Sequence, residues 1–425
     1  MPSQLDVDKI RHTNGTDALT FDSSGNTNLQ KDLKFGSTAA IKNSAGNNIL
    51  SESGGNVTLE NVRLPASGGI SDSSGNALLT ASGGAVSLGS TVVPSSSMMF
   101  RNKIINGNFD IWQRGTSQTS SDYGSADRWY SEHTGSTKTA SQQLFTNGQT
   151  DVPGNPKYYW RHVVTSVTAN ANYCLAAQKI EGIETLAGQA ATVSFWAKAD
   201  SNKNIANEFV QYFGTGGSPS SIVFGIGSTT HSLTTSWQKF TATVYIPSIS
   251  GKTIGSDNND WIGLYFWFDA GSDYNSRNNS LGQQSGTFDI AQVQVEEGPV
   301  ATPFEQRPIG MELSLCKRYF QTTRGIDRSA MVGTTGIVPN VTNTAYRIGY
   351  ELPVTMRATP SITLVSMRAW DGSTTVDVNS LNSNFSDPNR IDGDWALAAD
   401  LTDWRPCRFY QAIAGTSSID LSAEL

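Results

Sequence analysis

The sequence predicts an all-β protein that combines a repetitive fibrous N-terminal stalk, an antiparallel jelly roll (a β-sandwich), one short connecting helix and a smaller C-terminal β domain. Apolar and polar residues alternate in many short segments, and clusters of Gly, Asn, Asp and Ser separate them. This pattern is typical of antiparallel strands joined by turns. The 425 residues also include 17 Phe, 13 Tyr and 10 Trp, which can fill the cores of two or three domains.

Residues 1–97 contain a weak internal repeat and are predicted to form the stalk. Each copy predicts a Gly/Asn turn that feeds a very short strand, and one such strand buries too little apolar area to offset its ordering entropy. Short strands become stable by stacking along one chain or between chains. We therefore favour a stalk of intertwined chains, a homotrimer, over a flexible linker. The repeated segments are residues 22–29, 43–50 and 72–79, and the Ser-Gly-Gly elements that begin at Ser53, Ser67 and Ser82.

Residues 98–307 are predicted to form the jelly roll. Three segments within it alternate strictly between apolar and other residues, which predicts strands with one core face each. In TFDIAQVQVEEG, residues 287–298, Phe288 and Ile290 lie at even positions, whereas Val293 and Val295 lie at odd ones. A bulge near Ala291 would let all four side chains face the core. The predicted core residues of the three segments are Val193, Phe195, Ala197, Ala199, Phe240, Ala242, Val244, Ile246, Ile262, Leu264, Phe266 and Phe268.

Residues 308–322 are the one convincing helical segment, with Pro308 near the first turn. Its apolar residues form two stripes on opposite sides, so we expect a joint that is packed on both sides, between the jelly roll and the last domain. A helical contact between three chains is the alternative. The stripes are Ile309, Leu313, Cys316 and Phe320, and Met311, Leu315 and Tyr319.

Residues 323–425 alternate again and predict a smaller β domain, a candidate fibre tip, whose final strand runs to residue 425. The residues predicted to share a face are Tyr346, Ile348, Tyr350 and Leu352, then Ile362 and Leu364, and finally Ile419, Leu421, Ala423 and Leu425.

Charge and composition argue against several partners. The net charge is −7 and Lys and Arg form no run, so we expect no nucleic-acid partner. Residues 1–12 carry charges where a signal peptide needs an apolar run, and the longest apolar run, residues 261–268, is too short to span a bilayer. We therefore expect no membrane insertion. Cys174, Cys316 and Cys407 fit no metal spacing or disulfide framework and are expected to be buried free thiols, as in a chain that folds in a reducing compartment.

Five motifs lie between residues 101 and 323: INGNFDIWQRGTS, ADRW at residues 126–129, VSFWAKAD, SWQKFTATVYIP and ATPFEQRPIGMELSLCKRYFQ. Together they resemble bacteriophage and prophage tail-fibre proteins that carry a jelly roll similar to carbohydrate-binding modules. The resemblance implies a tail fibre of the virion, made in the host cytoplasm, that binds polysaccharide on the host surface. It also implies that other tail or virion proteins bind the N-terminal segment. A purely structural virion component, such as an adaptor, collar or head fibre, is the alternative.

Catalysis has little support in the sequence. No Gly-x-Ser-x-Gly elbow is present, and His12, His133, His162 and His231 are isolated, which predicts surface positions. Four aspartates bracket the aromatic strand, but turn formation is a commoner role for Asp than glycoside hydrolysis, and no regular loop spacing supports calcium. We expect no enzyme, no catalytic residue, no cofactor and no metal. The four aspartates are Asp257, Asp260, Asp269 and Asp273.

A group of aromatic and polar residues lies on the strand faces opposite the predicted core faces, or in the long polar loop 270–286. Flat rings beside polar groups suit a sugar, and long loops tend to carry function. The alternative is that this face is buried against another sheet, the stalk or a neighbouring subunit. We assign Trp112, Trp129 and Trp237 to structure. The candidate glycan-binding residues are Trp196, Lys198, Tyr245, Trp261, Tyr265, Trp267, Asp269, Tyr274 and Arg277.

Overall fold

The computed structural model describes the strands within residues 9–88, all of residues 100–323, and residues 335–337, 344–345, 350–382, 386–411 and 417–425. Within these ranges the chain is built from antiparallel sheets with two short α-helices, which confirms the predicted all-β fold. The chain divides into two compact units, Met1–Ser97 and Met98–Leu425. None of the described helices is long and apolar enough to cross a bilayer.

The first unit contains three sheets of three short strands each, in the orders β1-β2-β3, β4-β5-β6 and β7-β8-β9. The repeated turns at residues 22–26, 43–47 and 72–76 lie between paired strands and fall outside the described residues. The trimer stays a prediction. The strands are β1 Lys9–Arg11, β2 Asp17–Phe21, β3 Thr27–Leu29, β4 Ala39–Lys42, β5 Asn48–Ser53, β6 Asn56–Val57, β7 Gly69–Ser71, β8 Ala77–Ser82 and β9 Ala85–Leu88.

Twelve strands of the second unit form a sandwich of two six-stranded antiparallel sheets. The front sheet has the order β10-β13-β14-β21-β16-β19, and the back sheet has the order β11-β12-β15-β20-β17-β18. A short helix α1, Asn275–Asn278, lies between the last two strands. The strands are β10 Ser117–Gln118, β11 Asp122–Tyr123, β12 Tyr130–Thr134, β13 Thr137–Leu144, β14 Tyr158–Thr165, β15 Tyr173–Glu181, β16 Ala190–Ala199, β17 Lys203–Tyr212, β18 Val223–Leu233, β19 Gln238–Tyr245, β20 Trp261–Ala270 and β21 Gly286–Glu297.

The core between the two sheets contains every side chain that alternation assigned to it, with Phe240 and Ala242 partly buried at its edge. The predicted bulge is also present. Trp196 pairs with Ala291 whereas Ser194 pairs with Gln294, so β21 carries one extra residue. Gln292 takes the left-handed backbone conformation there, with φ 49°. The bulge lets Phe288, Ile290, Val293 and Val295 all face the core, which confirms the prediction.

Two of the four histidines contradict the expectation of surface positions. His162 is fully buried and stacks on Phe268 with ring centroids 4.4 Å apart. His231 is buried and its Nε2 bonds with Asn207 Oδ1 at 2.7 Å. Both occupy strand positions whose side chains point into the core. An isolated histidine in a sequence does not show on which face of a strand it lies. His133 is half-buried, and His12 lies outside the residues whose side chains are described.

The helix after the sandwich, α2, spans Ile309–Lys317 and is shorter than predicted. It ends because β22, Phe320–Thr322, pairs with the last strand of the chain. Packing on two sides is present only at the C-terminal end of the segment, where Cys316 and Phe320 of one stripe and Tyr319 of the other are buried. Only Glu312 and Cys316 are buried on α2, while Ile309 is 59% exposed and Met311 38% exposed. The contact between three chains stays a prediction.

The β fold predicted for the C-terminal residues is confirmed, with a core that includes Trp395, Phe409, Ile419 and Leu421. Its sheets have the orders β22-β32-β26, β23-β31-β27-β28-β30-β24 and β25-β29. The final strand ends at Ser422 instead of residue 425. Tyr346 and Ile348 lie outside the described residues. The strands are β23 Thr335–Ile337, β24 Thr344–Ala345, β25 Tyr350–Glu351, β26 Ser361–Val365, β27 Met367–Trp370, β28 Thr375–Asn382, β29 Arg390–Ile391, β30 Asp394–Leu397, β31 Pro406–Gln411 and β32 Ser418–Ser422.

All three cysteines are buried thiols outside any disulfide, as the sequence predicts. Burial raises the pKa of the Cys174 thiol to about 12 and that of Cys316 well above its usual value. Both thiols therefore stay protonated at neutral pH and are poor nucleophiles.

Candidate functional site

The nine predicted glycan-binding residues do not form one site. Because the two sheets enclose a shared core, their outward side chains lie on opposite faces of the sandwich. The front sheet carries Trp196, Lys198 and Tyr245. The back sheet and the segment after β20 carry Trp261, Tyr265, Trp267, Asp269, Tyr274 and Arg277.

Trp267 on the back sheet is fully buried, so the expectation of an open sugar platform is wrong at this residue. Its indole Nε1 donates to Glu208 Oε1 at 3.1 Å, and Arg277 donates to the same oxygen at 2.6 and 2.9 Å. The Tyr274 ring lies 5.3 Å from the indole. Burial raises the pKa of Glu208 and the Arg277 guanidinium opposes that shift. The polar loop 270–286, which suggested recognition, therefore packs over this tryptophan through Tyr274 and Arg277.

The other back-sheet candidates are also engaged within the chain. Asp269 is fully buried and accepts hydrogen bonds from Ser136 Oγ and Ser166 Oγ, both at 2.7 Å, and from the Gln284 backbone at 2.8 Å. Trp261 is buried beside the Lys179 ammonium, which lies 5.2 Å from its ring. The hydroxyl of Tyr265 has a raised pKa because its surroundings exclude water.

The front sheet has a cleft of about 450 Å³ on its outer face. Its floor comes from β16, β19 and β21, and its walls come from residues 153–154 and 301–306. Trp196 is the one predicted residue that lines it. We call this feature the front cleft. Its lining residues are Pro153, Gly154, Ser194, Trp196, Lys239, Gln292, Ala301, Pro303, Phe304 and Gln306.

The bulge in β21 builds one wall of the front cleft. It turns Gln292 away from the core, and the Gln292 side-chain amide donates to the Pro153 carbonyl at 2.7 Å. The opposite wall is also fixed. Glu296 accepts hydrogen bonds from the Thr302 backbone at 2.8 Å and from its hydroxyl at 2.6 Å, and the Glu305 backbone donates to a side-chain oxygen of Gln294 at 2.8 Å. Walls held by such bonds give a cleft that exists before any ligand binds.

A cluster of half-buried aromatic rings borders the front cleft, and we call it the front shelf. Trp237 packs against Phe145 and Tyr159 with ring centroids 5.2 and 5.3 Å apart. The Lys198 ammonium lies 5.2 Å from the Trp237 ring. Lys198 and Arg161 both pair with Asp289, at 3.8 and 2.7 Å. The prediction that Trp237 is purely structural is therefore incomplete, because its ring is partly exposed to solvent.

Tyr245 does not belong to the front cleft, although it is 66% exposed. It lies six residues from Lys239 along β19, which corresponds to about 20 Å at the usual rise of a strand. Its hydroxyl donates to the Gly188 carbonyl at 2.9 Å.

Sequence reasoning missed most of the cleft lining. Lys239 shares the outward parity of Tyr245 and could have been found from that signal. Gln292 could not, because its direction depends on the bulge. Phe304 and Gln306 follow the last sandwich strand and carry no periodicity.

Three of the four aspartates that bracket the aromatic strand, Asp257, Asp260 and Asp269, have structural side-chain contacts, and none of the four lines the front cleft. Asp260 accepts a hydrogen bond from the Ile183 backbone at 2.7 Å, and Asp257 accepts one from Thr215 Oγ1 at 2.7 Å. Within the described parts of the chain, no group of three or more His, Cys, Asp or Glu residues could hold a metal ion. The absence of enzymatic activity stays a prediction.

The opening and closing motifs of the tail-fibre resemblance contact each other. Just before the opening motif, the backbone N–H groups of Asn102, at 2.8 Å, and of Phe100 donate to Glu305 of the closing motif. Glu312 accepts one from the Asn106 backbone and pairs with Arg307 at 3.3 Å. Contacts between the two motifs therefore join the two ends of the sandwich, and the closing motif also supplies Ala301, Pro303, Phe304 and Gln306 to the front cleft.

The ADRW motif joins the sandwich to the C-terminal domain. Arg128 is fully buried, pairs with Glu424 and donates to the Lys179 carbonyl at 2.6 Å. Its guanidinium lies 3.5 Å from the centroid of the Tyr319 ring. Trp129 is in the sandwich core, as predicted, and so the motif is structural.

No protein-family model matches this chain, and no curated protein matches it. Solved structures with a likeness to it include CBM4, with 19% identity and a TM-score of 0.25, covering 45% of this chain and 98% of that one. A family 11 carbohydrate-binding module from Clostridium thermocellum, in complex with a mixed-linked tetrasaccharide, has 11% identity and a TM-score of 0.25, and the match covers 44% of this chain and 98% of that one.

A third likeness is to the enzymatically active domain of tailspike protein 4 of bacteriophage CBA120, with 12% identity and a TM-score of 0.27. It covers 47% of this chain and only 22% of the tailspike. Similarity at these levels carries no argument about what this chain binds, so the site must be judged on its own geometry.

Proposed function

We propose that this protein binds a cell-surface polysaccharide in the front cleft without cleaving it, as part of a phage tail fibre that attaches the virion to its host. The observation that carries the binding site is a preformed cleft of about 450 Å³ that combines aromatic rings with side-chain amides. Trp196 and Phe304 offer rings to the C–H face of a sugar, and Gln306 and Ser194 offer hydrogen bonds to its hydroxyls. The tail-fibre role is supported by the motifs of residues 101–323.

Binding fits the cleft better than hydrolysis. Glycoside hydrolysis uses two carboxyl groups that flank the scissile bond, and the residues lining the front cleft include no Asp or Glu. Purified protein incubated with host polysaccharide is therefore expected to leave the chain length unchanged. New reducing ends would contradict this part of the proposal.

The site is tested with Trp196→Ala and, independently, Phe304→Ala. Loss of one stacking ring is expected to weaken polysaccharide binding by about 1–3 kcal/mol, while the melting temperature stays near that of the wild type. Trp404→Ala is the matched control, because Trp404 is 71% exposed and lies in the other domain. Binding by isothermal calorimetry and adsorption to host cells are the two measurements.

Wild-type binding by both cleft variants would reject the front cleft as the site. If the wild-type protein itself bound no host polysaccharide, the structural virion role would replace the proposal.

A further inference from the structure

The charge of the front cleft differs in sign from that of the whole chain, which has a net charge of −7. Lys239 is the one charged residue among the lining residues, which are all described. Its ammonium donates to the Thr302 carbonyl at 3.4 Å, a weak contact with a neutral group, and pairs with no carboxylate of the described residues. The lysine is exposed and free to meet a ligand.

The carboxylates nearest to this wall are already engaged. Glu296 is buried, bonds to Thr302 and lies 3.6 Å from the Arg101 guanidinium. Glu305 accepts backbone hydrogen bonds and lies 3.7 Å from Arg307. Neither one compensates Lys239, so the cleft presents a net positive charge to a ligand.

The front shelf extends this character along the same face. Lys198 lies two residues from Trp196 on β16, a distance of about 7 Å. Lys198 and Arg161 both pair with the single carboxylate of Asp289, beside the Trp237 ring. An aromatic ring with a neighbouring cation thus occurs twice on this face: Trp196 with Lys239, its partner in strand register, and Trp237 with Lys198.

We propose, on the basis of the glycan binding proposed above, that the ligand is an acidic polysaccharide whose chain lies across the front cleft and the front shelf, with an anionic group of the sugar against Lys239. Carboxylate and sulfate groups both satisfy this chemistry. Ammonium-to-anion hydrogen bonds are stronger than neutral ones and give the site selectivity over neutral glycans.

The experiment measures binding of the full-length protein to three sets of defined oligosaccharides: uronate oligomers of alginate, sulfated oligomers of carrageenan and neutral oligomers of laminarin. Lys239→Gln is expected to weaken binding of the acidic probe at least about tenfold, and to weaken it much more than binding of the neutral probe. Lys252→Gln, at an exposed lysine away from the cleft, is the matched control. Affinity for the acidic probe should fall as NaCl is raised, because salt screens exposed charges.

The length of the oligosaccharide tests whether the ligand also contacts the front shelf. Trp237→Ala is expected to reduce affinity for longer oligomers and to leave that for disaccharides unchanged. Equal binding of neutral and acidic probes, with Lys239→Gln like the wild type, would overturn the inference and leave glycan binding intact. If no probe or host polysaccharide bound at all, the proposed function and this inference would both be rejected. Preference for one acidic series over the other identifies the anionic group.

Discussion

Two buried histidines link the stability of the sandwich to pH. Burial lowers the pKa of His162 well below its usual value, and it lowers the pKa of His231 to about 4. Both rings are therefore neutral in the folded chain near pH 6. In the unfolded chain they take up a proton below about pH 6.5. The stability that the neutral rings contribute is fully present above pH 6.5 and is lost as the pH falls toward the folded pKa.

His231→Gln isolates this effect from the carboxyl groups that also titrate. As the pH falls from 6.5 to 4.5, the wild type is expected to lose up to about 1.4 kcal/mol of unfolding free energy per pH unit relative to the variant. Denaturant unfolding at several pH values measures it. A difference that is constant with pH would show that His231 is already protonated, or is exposed, in the folded state.

Truncation of Trp267 is expected to lower the stability of the sandwich strongly, because its indole is fully buried. Trp267→Ala removes a fully buried indole and leaves Glu208 without one of its donors, so a loss of roughly 3–5 kcal/mol of stability is expected. Trp267→Phe keeps a ring and should cost less. Denaturant unfolding gives both values, and a Trp267→Ala variant as stable as wild type would show that the cover formed by the loop is open in solution.

The bulge in β21 has two roles at the scale of a single strand. It restores the inward direction of Val293 and Val295, and it sends the Gln292 side chain to the wall of the front cleft. The extra residue therefore couples core packing to the shape of the cleft.

Two substitutions at Gln292 separate these roles. The residue has φ 49°, a conformation that suits glycine and penalises β-branched residues. Gln292→Gly should keep the melting temperature near wild type but weaken glycan binding severalfold, because the bond to Pro153 is lost. Gln292→Val should lower stability by about 1–3 kcal/mol. Equal melting temperatures for the two variants would argue against a left-handed residue at this position.

At the scale of the whole molecule, the two units of the chain differ in how much core they can form. The described residues of Met98–Leu425 form three hydrophobic clusters, two in the sandwich and one in the C-terminal domain. Met1–Ser97 has three sheets of very short strands and only two aromatic residues, Phe21 and Phe35. Sharing of a core between chains would supply what one chain lacks.

A homotrimer is therefore expected in solution. Light scattering of the full-length protein should give three times 45.6 kDa. Removal of residues 1–97 should leave a folded second unit that has lost the trimer. A full-length protein that is folded and monomeric would reject the intertwined stalk.

Alternation along the sequence determined the all-β fold, the core face of each central strand and the bulge in β21. These properties are local, since successive side chains of a strand point to opposite faces. Alternation did not distinguish Trp196 from Trp267, because both have outward parity. Tertiary structure decided that one lines an open cleft and the other is covered, since the walls of the cleft and the partner Glu208 come from parts of the chain distant from each tryptophan. A sequence pattern defines the direction of a side chain, and only the packed chain defines what lies in front of it.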